Sequence, residues 1–455
     1  MPNVKFYKNE DLPLEMHKVR IVQKLHLVPV ERRLEALKDA GFNTYGLSTN
    51  DVFLDMLTDS GTNAMSDNQL AAMMKADDAY AGSQSFVRMQ KAVEDVLGKK
   101  YLLPVHQGRA AENVLARTFI KPGDIVPMNY HFTTALAHIL EVGANIAEIL
   151  HDDAFETSSS NPFKGNIDVD KLVAFIEKTG VDKIPFIRME ASTNLIGGQP
   201  FSIANMMDVR RVADKYGLLL VLDASLLGEN AYLVKQREDK WKENTLGDII
   251  KMMTGLADIV YFSARKLSSS RGGGICTNRA ELHQKMEVII PLFEGFLTYG
   301  GMSVREIEAI AVGLYETLDE TMISQSPTFI KYLVEKAEAR GIPMVTPPGV
   351  LGAHVNAAKF CAHLPMGEYP AASLGAAVYL CGGIRGMERG VMSSVRDENG
   401  VEVPSDVELL RLAVPRRVFT LSQMNYILDR LEWLHDNRKL IGGLKWVYEP
   451  RVLRF

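Results

Sequence analysis

The sequence predicts an α/β fold: a large domain on a mostly parallel sheet, with a smaller α+β domain beside it. Three observations carry this. Helical stripes alternate with short apolar runs through the middle of the chain, the pattern of a parallel sheet covered on both faces. At 455 residues, the chain is too long for one ordinary core. A long apolar helix near residue 310 then reads as a bridge between lobes. The expected division is 58–319 for the large domain, with 1–57 and 320–455 forming the small one.

Each element has its own signature. "FVRMQKAVEDVLG" sets Phe86, Met89, Val93, Val96 and Leu97 on one helical face, closed by Gly98. "YLLPVHQGR" reads as a strand entering a turn, with Pro104 arguing against a central position. "KIPFIRME" is a second strand, ending at "ASTN". The helix "NMMDVRRVADKYG" aligns Met206, Val209, Ala213 and Tyr216 and stops at Gly217. Strands "LLLVLDAS" and "DIVYFS" follow. "REIEAIAVGLYETLDETM" places Ile307, Ile310, Ala311, Leu314 and Leu318 on one stripe, the single bridging helix. "YPAASLGAAVYLCGGIRGMERG" and "LLRLAVPRRVFT" give the small domain helix and strand, with the amino-terminal segment packed back on them.

Composition excludes several functions. Hydrophobic residues make up 47% and charged residues 24%, the profile of a soluble globular protein. A net charge of −5 argues against nucleic acid or an anionic membrane as partner. The first twenty residues mix both charges without an apolar core, unlike a signal peptide. The run "GLLLVLDASLLG" is broken by Asp223, so no bilayer span is expected. Cys276, Cys361 and Cys381 lack metal spacing and read as buried thiols in a reducing compartment, the cytoplasm.

Sites in open α/β sheets gather past the carboxyl ends of strands. Gln107, Gly108 and Arg109 open a helix, whose free N–H groups suit a phosphate, although a plain turn reads the same way. Phe132 and Thr133 follow another strand, where an aromatic also fits a core. Asn194 sits in a glycine-rich turn. Asp223 ends an apolar strand and needs a cation or several donors, whether for structure or for function. Ser263 and Lys266 leave the last strand, before three consecutive glycines. A lysine beside the core and next to Arg265 can lose its proton and attack a carbonyl, though a solvated lysine is the plainer reading. Taken in order, a phosphate cup, an aromatic, an asparagine, an aspartate and a lysine suit pyridoxal phosphate.

The stretches "LTDSGTNAMSD", "AYAGS", "HQGRAAEN", "FTT", "NLIGGQP", "DASLLGENAY", "RGMERG" and "LLRLAVPRRVFT" resemble the tyrosine phenol-lyase and tryptophanase family of pyridoxal-phosphate β-eliminating lyases. The likeness runs from about Leu27 onward, and "RGMERG" and "PRRVFT" resemble the tyrosine phenol-lyase branch more closely. It implies a fold-type I, aspartate aminotransferase-like enzyme with pyridoxal 5'-phosphate as cofactor. It also implies an amino-acid substrate and a homotetramer whose sites draw on two subunits. Lys266 resembles the lysine that holds the cofactor, Asp223 the partner of its ring nitrogen and Phe132 the ring-stacking residue. Gln107, Gly108, Arg109 and Ser263 resemble the phosphate cup. Arg411 matches the clamp on the substrate carboxylate, helped by Asn194, Thr58 and Ser60. Tyr80 corresponds to the proton donor for the leaving group, and Arg389 and Thr133 to groups facing a phenolic hydroxyl.

Departures bear on the substrate. Where the family has "DATR" this chain has "DASL", so Leu226 replaces an arginine near the cofactor ring. The usual lysine pair is Arg265–Lys266, followed by Leu267 in place of an aspartate. Arg271 stands where an asparagine belongs to the monovalent-cation (potassium) site, with Asp78 nearby, which sets that cation in doubt. The last residue, Phe455, falls a few positions short of the usual end. The expectation is β-elimination with release of ammonia and pyruvate, a phenol-type leaving group being favoured. Other β-substituted amino acids, transamination, retro-aldol cleavage and a catalytically silent homologue are the alternatives.

Overall fold

The computed structural model describes residues 6–8, 10–394, 396–397, 399–450 and 454; Phe455 lies outside them. Among the described residues the main sheet has seven strands: β1 (Tyr101–Val105), β2 (Ile125–Met128), β3 (Asn145–Glu148), β4 (Ile187–Glu190), β5 (Leu220–Asp223), β6 (Ile259–Ser263) and β7 (Gly273–Thr277). Their order is β1-β7-β6-β5-β4-β2-β3. Only β7 opposes the others, pairing antiparallel with β1 and β6. Pro104 lies on the edge strand β1, where a missing N–H is tolerated.

Helices cover both faces of this sheet. Gln84–Leu97 buries Met89, Val93, Val96 and Leu97 and ends at Gly98, whose φ of 63° suits glycine. Ile203–Tyr216 buries Met206, Val209 and Ala213 and ends at Gly217 in the same way. The small sheet is β8 (Gly352–Asn356), β9 (Met387–Arg389) and β10 (Leu409–Ala413), with β10 in the centre and both pairings antiparallel. Around it a second core gathers Leu54, Met56, Phe329, Leu333, Leu374, Leu410 and Leu431. The amino-terminal part returns to this core: Leu54–Asp55 pairs parallel with Ile384–Arg385, and Leu37 packs on Tyr379. Cys276 and Cys361 are buried, whereas Cys381 is only partly so.

One expected helix is two. Val304–Glu316 and Glu320–Glu338 are separated because Asp319 caps the second helix, accepting from Thr321 N at 2.8 Å. The buried Thr317 turns its hydroxyl onto Leu267 O at 2.9 Å. The break therefore serves the turn that carries Lys266. Arg416 also donates to Leu267 O at 3.0 Å, held in turn by Glu229, while Gln69 donates to Ser268 O at 2.8 Å.

The three glycines after that turn let backbone meet backbone. A Cβ on Gly273 would lie 2.5 Å from Phe262 O and 3.1 Å from the carbonyl carbon of Gln107. On Gly274 it would lie 2.9 Å from Leu102 and from the Phe262 ring. Gly273→Ala is expected to cost about 1–3 kcal/mol through overpacking; a lower denaturant midpoint checks it, and an unchanged one contradicts this close contact.

Candidate active site

The residues singled out in the large domain stand at the carboxyl ends of its strands. Asp223 is the last residue of β5, in register with Glu190 of β4 and Tyr261 of β6. Gln107 precedes the helix Gly108–Phe119, Phe132 precedes the helix Thr133–Glu141, and Asn194 begins the turn after β4. Ser263 ends β6, and Lys266 follows in the short helix Ala264–Leu267. The small sheet supplies Arg389 from β9 and Arg411 from β10, with Met387 opposite Arg411.

These groups converge. Lys266 Nζ lies 5.1 Å from the centroid of the Phe132 ring, and the Arg389 guanidinium carbon 5.8 Å from the same centroid. Arg411 donates to Asn194 Oδ1 and to Leu57 O, both at 2.7 Å. Thr58 and Ser60 belong to the loop that Leu57 begins, where Ser60 N donates to Thr58 Oγ1 at 3.0 Å. Arg411 and Arg389 both donate to the Met387 sulfur, at 2.6 and 2.8 Å.

Two buried guanidiniums sharing a thioether leave a charge unanswered. Arg411 Nε and Arg389 Nε and Nη1 are buried without a hydrogen-bond partner among the described residues. Burial, and then Arg389, push Arg411 down to about 9, so it is still a cation at neutral pH. His354, opposite Arg411 on β8, is pushed to about 3 by burial and by Arg411 and stays neutral. Orphan N–H groups on buried cations are costly unless an anion meets them. A carboxylate fits, because a guanidinium presents paired donors to it.

A second cationic pocket lies at the start of the Gly108 helix. Gly108 is held against Ser263: a Cβ there would be 2.8 Å from Ser263 Cβ. Arg265 lies over Gly61, whose N–H donates to Arg265 O at 3.1 Å. The Arg265 Nε is buried and has no hydrogen-bond partner among the described residues, and burial, with Arg271 and Arg109 nearby, depresses its pKa. Free helix N–H groups, a hydroxyl and cations are the donor set of a phosphate cup. Behind the ring position, Asp223 Oδ2 accepts from Arg188 Nη2 at 2.8 Å and from the Tyr261 hydroxyl at 2.9 Å, and Oδ1 accepts from Ser225 N at 3.0 Å. The residues present thus fit pyridoxal phosphate at its phosphate, ring face, ring nitrogen and aldehyde.

Tyr80 stands elsewhere. It is 68% exposed, and its ring meets Phe296 and Tyr299 at centroid distances of 5.2 and 5.4 Å. Arg271 and Asp78 are exposed, and neither forms an ion pair among the described residues of this chain. Leu226 is buried in an apolar cluster with Leu233, Val350 and Leu351. Sequence reasoning missed Met387, His354, Arg188 and Glu190, and it also passed over the half-buried Tyr45, whose hydroxyl feels Arg389 and Arg411. Alternation in "MER" could have placed Met387 on the face of Arg389; the others had no local signal.

The sequence model of the Beta-eliminating lyase family matches residues 55–430. The tyrosine phenol-lyase of Pasteurella multocida (strain Pm70) is 42% identical over 445 residues, covering 97% of each chain. That of Symbiobacterium thermophilum is 40% identical over 443 residues, with the same coverage. Among solved structures, serine palmitoyltransferase from Sphingomonas wittichii superposes with a TM-score of 0.59 at 12% identity, covering 91% of this chain and 98% of that one. The enzyme from S. paucimobilis gives 0.58 at 12%, covering 86% and 89%. The latter likeness concerns the fold alone. No helix among the described residues is long and apolar enough to cross a membrane. With its fold, its donor sets and these relatives in agreement, the chain belongs to the β-eliminating lyase family, pyridoxal-phosphate enzymes of fold-type I.

Proposed function

We propose that this lyase cleaves an L-amino acid whose leaving group carries an oxygen, as a tyrosine phenol-lyase does, and releases ammonia and pyruvate. The observation that carries this reading is the pair of buried arginines, Arg411 and Arg389, whose N–H groups are left without hydrogen-bond partners among the described residues, with Arg389 and Lys266 over the Phe132 ring. When bound, pyridoxal phosphate holds the substrate nitrogen and takes up the electrons released at Cα.

The residues divide the remaining work. Gln107, Gly108, Arg109 and Ser263 hold the phosphate, joined by Arg265; Phe132 stacks on the ring; Asp223 keeps the proton on the ring nitrogen. Arg411, with Asn194, Thr58 and Ser60, fixes the substrate carboxylate and so turns the Cα–H bond toward Lys266. Lys266 removes the Cα proton as general base. As the bond from Cβ to the leaving group breaks, the electron pair departs with that group, and Tyr80 protonates it. Arg389 and Thr133 recognise its oxygen. Water then releases the remaining carbon skeleton as pyruvate and ammonia. Tyr80 is largely exposed, which supports a site completed between two copies in a homotetramer. The division 58–319 against 1–57 and 320–455 accompanies this reading, as does the cytoplasm as its place. Arg271 cannot coordinate a cation through its guanidinium, so potassium is not assigned a part.

Three outcomes are expected. Lys266→Ala loses the borohydride-trapped cofactor; trapping that persists moves the attachment elsewhere. Arg411→Lys keeps a charge but not the paired donors, so Kd rises by about tenfold or more for all amino-acid substrates and hardly changes for amines lacking a carboxylate; this is the scale of losing one charged hydrogen bond. In steady-state kinetics with L-tyrosine, ring-modified tyrosines, L-phenylalanine, L-tryptophan, L-serine and S-alkyl-cysteines, a ring-hydroxylated substrate outranks its deoxy analogue by on the order of 10⁴ in kcat/KM, because the analogue leaves Arg389 unpaired. L-Tyrosine itself is not first, since Leu226 leaves the ring without the arginine that the family resemblance puts there, and Tyr45 stands against Arg389 and Arg411. Tryptophan ranking first would remove the role given to Arg389.

A further inference from the structure

We propose that Arg188, a buried residue of β4, is a positioning residue that keeps Asp223 ionised and aimed at the cofactor's ring nitrogen, and so sets how strongly the ring draws electrons. The inference rests on the reading of Asp223 as the ring-nitrogen partner.

The argument begins with a charge count. Arg188 is the guanidinium among three buried carboxylates, Asp223, Glu190 and Glu112, with its side chain 3% exposed. It reaches Asp223 Oδ2 at 2.8 Å, Glu190 Oε2 at 3.3 Å from both terminal nitrogens, and Glu112 Oε1 at 3.9 Å. One cation cannot hold three buried anions, so protons must remain on some of them. Glu112 is the natural place for one. Burial raises it to about 7, with Asp223 and Glu190 adding to the effect; burial raises Glu190 as well.

Hydrogen-bond directions agree. The Tyr261 hydroxyl accepts from Arg188 Nε at 2.9 Å and has one proton to give. Asp223 Oδ2, at 2.9 Å, is nearer than Glu112 Oε1, at 3.3 Å, so the proton goes to Asp223. A protonated Glu112 can then donate to the same phenol oxygen while its Oε2 accepts from Thr134 at 2.6 Å. Every polar contact is satisfied when Asp223 is the ionised member and Glu112 the neutral one.

The groups facing this cluster come from each neighbouring element. They are Arg188 and Glu190 on β4, Asp223 on β5, Tyr261 on β6, Glu112 and Thr134 on the two helices above, and Lys266, whose charge opposes the rise at Glu190. Glu190 Oε1 also accepts from Asn194 N at 3.1 Å. Contacts therefore run unbroken from Asp223 through Arg188, Glu190 and Asn194 to Arg411.

The test reads the visible absorption of the holoenzyme across neutral to alkaline pH. In Arg188→Met the uncompensated carboxylates force a proton onto Asp223. The ring nitrogen then loses its anionic partner and with it its own proton, so the ring draws electrons less and its linkage to Lys266 stays protonated to higher pH. The midpoint is expected to rise by about one pH unit or more, a tenfold change in proton affinity. Arg188→Lys, which keeps the charge, is expected to restore most of it. Should Arg188→Met fail to fold, Arg188→Met with Glu190→Ala removes a cation and an anion together, which buried sites tolerate better; it is expected to show a smaller rise in the same direction. Asp223→Asn separates the two levels. If it moves the midpoint while the folded Arg188 variants do not, the proposal is overturned and the role of Asp223 stands. If Asp223→Asn moves nothing, the ring-nitrogen reading falls, and this inference with it.

Discussion

The start of the Gly108 helix rests directly on the strand pair β6–β7, and the geometry of the site follows from that contact. Gly108 lies against Ser263, and Gly273 against Phe262 O and the Gln107 carbonyl carbon. No side chain can intervene, so the helix N-terminus, the Ser263 hydroxyl and the turn bearing Lys266 are fixed within one small volume. The stretch from Ser263 to Gly274 thus serves the site twice. Its amine and hydroxyl stand past the end of β6, where the proposed function seats the cofactor, while its glycines remove the bulk that would hold the cup open. The surrounding scaffold reinforces this placement: Thr317 and Arg416 converge on Leu267 O, and Gln69 secures Ser268 O.

Charge in the site is deliberately unequal from one side to the other. The small sheet contributes Arg389 and Arg411 with only a sulfur between them, and burial denies them water. Behind the ring position, carboxylates outnumber the single guanidinium. Each imbalance is costly alone, and in the proposed function each meets something the reaction brings: a substrate carboxylate and a leaving-group oxygen in one place, a ring-nitrogen proton in the other. The two halves are linked through Asn194, which holds Arg411 and is held by Glu190.

Legibility in the sequence tracked locality. The helices ending at Gly98 and Gly217 were readable because apolar period and left-handed stop lie within a few residues. Pro104 marked an edge because proline's missing N–H is a local fact. "REIEAIAVGLYETLDETM" misled because its stripe continues through Thr317 and Leu318. The break there rests on the Asp319 cap, a local signal that the stripe overrode, and on the Thr317 hydroxyl meeting a carbonyl at residue 267, far away in the chain. Cys381 likewise read as buried from its type, although its place beside the Gly382–Gly383 turn leaves it partly open.

The sequence by itself determined the α/β class, the strand-end positions of Gln107, Phe132, Asn194, Asp223 and Lys266, and, through its motifs, the family. Strand periodicity and helix caps are short-range consequences of backbone geometry, so they can be read without coordinates. Tertiary structure alone decided which of those residues meet. It brought Arg389 to Phe132 from another sheet, placed Met387 between two arginines, turned Leu226 into apolar packing and gathered Arg188, Glu190 and Glu112 behind Asp223. Such encounters depend on the order of strands and the facing of side chains across them. Electrostatic energy is set by separation in space and by burial, and neither is a property of neighbouring letters in the chain.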